Sequence, residues 1–263
     1  MQKEAFKVLC VTCVMAAAGF LLRWLQNMRI YDEDGMVIHG LTVTGMLVVL
    51  MFAAAVVFLV MALRLKRFPA RELIRETFAR QSFAGALFGA VAAVALFGSG
   101  WSMIAGANEY AYPTIRTVVG VLAVVTAVGV FLMLKEAGRR GSERVQIFGA
   151  VMLTAFSCVW LIAIFRENSG EPELWRFLPE ILAGCAMLVS AYYITGLQLD
   201  QRKTIPSVFS CQLSVFFCFV SIIDENTTAD MLVYAAMILL NCTWMFLLTE
   251  NLVKEDKPIQ YKL

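Results

Sequence analysis

The chain has 263 residues, of which 60% are apolar and 16% charged, with a mean hydropathy of +0.74 and a formal net charge of +2. Soluble domains run nearer ~45–50% apolar and ~25% charged, so an excess of this size calls for a solvent other than water. The same figures exclude a secreted disulfide scaffold, a nucleic-acid binder held by basic charge, and a disordered chain.

A bilayer core ~30 Å thick takes ~20 apolar helical residues per crossing, because lipid offers a bare peptide group no hydrogen-bond partner. Eight windows meet that length: Ala5 to Trp24, Leu41 to Leu63, Ser82 to Ala105, Tyr112 to Leu134, Val145 to Phe165, Leu178 to Leu197, Ser207 to Ile223 and Met231 to Leu252. The expected fold class is all-α: a polytopic membrane bundle of eight helices with short loops, one integral domain over residues 1–263.

The first window starts like a signal peptide, with Lys3 and Lys7 ahead of an apolar run that reaches Ala16, Ala17 and Ala18. That run continues through Gly19 to Leu22, which predicts an uncleaved span. Cys10 and Cys13 have redox spacing, but no βαβ context surrounds them, so they read as small apolar residues. Arg23, beside Trp24 at the window's far end, is expected to carry its guanidinium out to the headgroups.

After the second window, Pro69 is placed to open a helix over 69–80. Leu73, Ile74 and Phe78 share one face of it, with Arg71, Arg75 and Arg80 on others, as in a segment lying flat in the headgroup layer. A plain linker is the alternative. The third window carries Gly85-x3-Gly89, then Ala93, and Gly98, Ser99 and Gly100 near its end, a spacing suited to close helix contact. Phe20-x3-Trp24, Phe97-x3-Trp101 and Phe156-x3-Trp160 recur near one end of windows one, three and five. An interfacial aromatic band accounts for the pattern, and a duplicated helical hairpin is the other reading.

Glu180 follows Pro179, and this pair suits the first turn of a helix, where the carboxylate meets the positive end of the helix dipole. The alternative is a buried carboxylate paired with Arg23 or Arg116. The seventh window, the shortest and the one most open to tilt or re-entry, places Ser207, Ser210, Cys211, Ser214, Cys218 and Ser221 on one helical face, with Gln212 beside them. Such a stripe either packs tightly on another helix or lines a polar path. Asn241 is the deepest amide of the eighth window, suited to bonding a neighbouring helix or a solute.

Lys and Arg sort by alternate loops. Seventeen of the 22 fall on the side of both chain ends, and only Arg23, Arg29, Arg116, Arg166 and Arg176 fall on the other. With the acidic residues included, the first face carries a formal +8 and the second −5. This predicts both termini inside, in what reads as a bacterial cytoplasmic membrane, with an acidic outer face that would concentrate cations.

Catalytic chemistry finds little to stand on. His39 is the one histidine, and it lies in a loop; no window holds an interior aspartate, and no glycine-rich phosphate loop is present. Asp32-Glu33-Asp34-Gly35 starts like a calcium loop but lacks the later acidic ligand. No catalytic residue, metal or cofactor is therefore expected, and no nucleic-acid partner. The leading expectation is a permease-like or substrate-binding membrane subunit for a small solute, with Glu180, Asn241, Gln212, Ser210, Ser214, Arg23 and Arg116 as path or binding candidates. The alternative is a non-transporting interaction, sensor or assembly component that binds other membrane subunits through its small-residue faces. An intramembrane enzyme built on Glu180 ranks below both.

Overall fold

A computed structural model of the chain describes residues 2–29, 41–65, 83–137, 143–169, 174–199, 203–224, 227–250 and 252. The expected segment at 69–80, the Asp32 to Gly35 loop and His39 lie outside the described residues. Among the described residues, eight α-helices follow in chain order: α1 (Gln2–Arg29), α2 (Leu41–Leu65), α3 (Phe83–Ala105), α4 (Pro113–Ala137), α5 (Glu143–Asn168), α6 (Leu174–Gln198), α7 (Thr204–Ser221) and α8 (Thr228–Glu250). A short 3-10 turn, Ala107–Glu109, joins α3 to α4. Each of the eight is long and apolar enough to cross a membrane, so the chain forms an all-α, multi-span bundle.

The helix ends follow local chemistry. Pro113 occupies the first position of α4, where its missing N–H costs nothing. Pro206 falls in the first turn of α7 for the same reason, and that helix runs unbroken for 18 residues rather than turning back. The expectation at Pro179 is corrected. The helix opens at Leu174, because apolar residues ahead of the proline already favour it, and Pro179 stands inside its second turn. Glu180 is thus an interior helical residue, not a helix-start carboxylate.

Helices α3 to α8 pack each on the next, and α8 returns to α3 to close the circuit. Alongside them, α1 lies on α7 and α8, while α2 covers α1 and α7. This order puts α7 and α8 at the centre: 67% of each of their spans is buried, against 28% for α1 and α2. Lipid-facing positions carry large apolar side chains such as Phe52, Val94 and Trp101, while Phe58, Leu96, Met187, Phe216 and Met237 fill the interior.

Two glycine pairs set the closest crossings. A Cβ on Gly100 of α3 would stand 2.6 Å from the Gly120 carbonyl oxygen of α4, and one on Gly129 would stand 3.0 Å from the Gly149 Cα of α5. Gly89, by contrast, makes room for a side chain, since its Cβ would meet Leu134 at 2.6 Å. The close helix contact expected of the third window is therefore made at Gly100.

A candidate buried charge site

Arg23 departs most from expectation. It is 1% exposed, while its neighbour Trp24 turns outward. Its Nε donates to Asp224 Oδ1 at 2.6 Å and its Nη1 to Gln26 Oε1 at 2.9 Å. Gln26 Nε2 in turn donates to Thr44 Oγ1 at 3.0 Å, and Asn27 Nδ2 to Asp224 Oδ1 at 3.1 Å. A counterion placed just past the end of α7 removes the reason to snorkel, because leaving the pair would strand a buried carboxylate.

Arg116, near the start of α4, anchors a second group. Its Nε and Nη2 form a fork on the Glu167 carboxylate of α5, and its Nη1 donates to Asp230 Oδ1 of α8 at 2.6 Å. The guanidinium carbon sits 4.4 Å from the centre of the Tyr110 ring and 5.4 Å from that of Trp160. Trp160 is fully buried and faces the bundle interior, whereas Trp24 and Trp101 face outward. Asp230 also helps Thr227 to close the start of α8. It accepts from the Thr227 N–H at 3.3 Å and from Thr227 Oγ1 at 2.8 Å, while its own N–H donates to Thr227 Oγ1 at 3.4 Å.

Glu180 lies between these groups, half-buried. Its Oε2 accepts from Asn168 Nδ2 at 3.0 Å, and Asn168 is held by a further bond to the Ile164 carbonyl at 3.1 Å. Asp224, Asp230 and Arg23 are all within electrostatic reach of the Glu180 carboxylate, and Tyr234 senses it in turn. The expected partnership with Arg23 or Arg116 is replaced by a different one. Those guanidiniums bond Asp224, Glu167 and Asp230, leaving Glu180 to a neutral amide. The six charged groups comprise four carboxylates and two guanidiniums.

The candidates on α7 and α8 fall deeper in the bundle. Ser207, Ser210, Cys211, Ser214, Cys218 and Ser221 are all buried, so the stripe faces the interior. Ser207 and Ser210 donate to carbonyls of their own helix, at 2.7 Å to Lys203 and 2.9 Å to Ser207. Gln212 reaches α1 by donating to Thr12 Oγ1 at 3.1 Å, and Asn241 of α8 reaches the stripe by donating to Ser214 Oγ at 3.1 Å. Among the described residues, no group of three or more His, Cys, Asp or Glu converges to hold a metal ion.

Sequence reading missed Asp224, Asp230, Glu167, Asn168 and Tyr234. The first three entered it only in the charge count of the outer face, although Thr227-x2-Asp230 ahead of an apolar run is a legible helix-opening signature. No family model matches the chain, and neither a curated protein nor a solved structure matches it.

Proposed function

We propose that the chain is a permease-like or substrate-binding membrane subunit that handles a small cationic solute at Glu180. One observation carries the reading: a half-buried carboxylate bonded to a neutral amide, with Asp224 and Asp230 within electrostatic reach and both nearby guanidiniums bonded to other acids. A charge so placed is expensive in a lipid-depth interior unless something neutralises it in use. The excess of positive charge on the terminal loops supports a cytoplasmic-membrane setting with both ends inside. No catalytic role is assigned to any residue.

The test is thermal unfolding of the purified chain across metabolite classes, since a ligand that binds only the folded form raises its apparent stability. A cationic solute is expected to raise the midpoint of the unaltered chain and not of Glu180→Gln. A solute that stabilises both equally removes Glu180 from the site. The reading of a non-transporting assembly component rests on the stripe, whose Ser207 and Ser210 hydroxyls are spent on backbone carbonyls. It predicts that no solute class shifts the midpoint.

A further inference from the structure

Beyond the carboxylates, the seam between α7 and α8 holds a buried amide whose oxygen meets no donor among the described residues. Asn241 lies seven residues past Tyr234 on α8, two helical turns along the same face. It is fully buried. Its Nδ2 is used twice, on Ser214 Oγ at 3.1 Å and on the Met237 carbonyl at 2.8 Å, which holds the amide against the small-residue stripe. Its Oδ1 meets no donor among the described residues.

Gln212, also fully buried, repeats the arrangement on the side of α7 that faces α1. Its Nε2 is bonded to Thr12 Oγ1, while its Oε1 meets no donor among the described residues. Between this level and Glu180 stand Ser214, Cys218 and Tyr234, with Cys218 and Glu180 both within electrostatic reach of the Tyr234 hydroxyl. The polar side chains thus form a series from the carboxylates to mid-helix. An orphaned amide oxygen at this depth calls for a donor small enough for a packed seam, and a water molecule meets that requirement.

We propose that water threads the α7–α8 seam and carries a proton between Glu180 and the level of Asn241. The inference rests on the reading of Glu180 as the solute-handling carboxylate, and it names the ion coupled to that site. The step breaks the Glu180 O–H bond as an O–H bond forms on the adjoining water, and each water then passes one proton on; no electron moves. The hydroxyls of Tyr234 and Ser214 accept one proton and release another, so they extend the series. The groups facing Glu180 are Arg23 from α1, Asn168 from α5, Asp224 from the α7–α8 connection, and Asp230 and Tyr234 from α8, with Glu167 held by Arg116 of α4.

The test uses the full chain and reads proton arrival at the Cys218 thiol, which stands beside Ser214 on the series between Glu180 and Asn241. Adding Glu180→Gln or Asn241→Leu is expected to slow that arrival about tenfold, and an unchanged rate in both overturns the path. One chain keeps Cys218 as its sole cysteine and another keeps Cys158, a mid-helix thiol exposed on the outer face of α5. After transfer to D2O, conversion of S–H to S–D is followed by infrared absorption. Cys218, although buried, is expected to exchange about tenfold faster than Cys158. Equal or slower exchange means a dry seam and overturns the proposal. Solute stabilisation lost with fast Cys218 exchange intact removes the permease reading and leaves the path; slow Cys218 exchange with solute stabilisation intact removes the path alone.

Discussion

Arg23 of the first helix and Asp224 at the close of the seventh form a buried ion pair across 201 residues of sequence, with Nε donating to Oδ1 at 2.6 Å. Removing one member of such a pair leaves an uncompensated charge in the interior. Asp224→Leu is expected to lower stability by about 3–5 kcal/mol, and the double change Arg23→Leu with Asp224→Leu to recover most of it. Thermal unfolding of the three variants in detergent, followed by circular dichroism, checks this. A double variant no better than the single would show that the guanidinium's other bonds matter more than the pair.

Arg116 is the residue where a conservative change should fail. Its guanidinium serves Glu167 through two nitrogens and Asp230 through a third, and it lies over the Tyr110 and Trp160 rings. A lysine ammonium cannot reproduce that fork. Arg116→Lys is expected to cost about 1.5–3 kcal/mol, read as a lower unfolding midpoint. A midpoint equal to the parent's would remove the fork from the account of what joins α4, α5 and α8.

Two glycines give a matched comparison. Gly120 lies where a Cβ would stand 2.8 Å from the Gly100 carbonyl oxygen, while a Cβ on Gly45 of α2 would meet nothing within 4 Å. Gly120→Ala must push α3 and α4 apart and is expected to destabilise by about 1–3 kcal/mol. Gly45→Ala should stay within about 0.5 kcal/mol of the parent. The same melting experiment decides both.

The bias of Lys and Arg toward the terminal side predicts that, in sealed right-side-out vesicles, an impermeant amine reagent leaves Lys3 and Lys7 unmodified until the membrane is opened. Modification of either lysine in sealed vesicles would reverse the orientation.

The spans were legible because lipid imposes one length and one polarity on every crossing, and all eight windows coincide with helices. What escaped was the company each charge keeps. Asp224 and Asp230 sit outside the apolar windows, so their sequence surroundings match those of solvated loop acids. Only the fold shows Asp224 turned onto Arg23 and Asp230 onto Arg116. Trp160 failed for a related reason. Its position along the helix matched an interfacial residue, but position along a helix does not state which way the side chain faces. Conversely, the face formed by Ser207 to Ser221 was correctly grouped by its spacing, since helical periodicity is a local property.

The distance in sequence between Arg23 and Asp224 also sets an order of events during synthesis. At a translation rate of ~5–20 residues per second, the first helix leaves the ribosome ~10–40 s before its counterion exists. Over that interval the guanidinium lacks the carboxylate that it bonds in the finished fold, and the headgroup layer is the place within its reach where a bare charge costs least. A chain halted before residue 224 therefore holds its first helix without this ion pair.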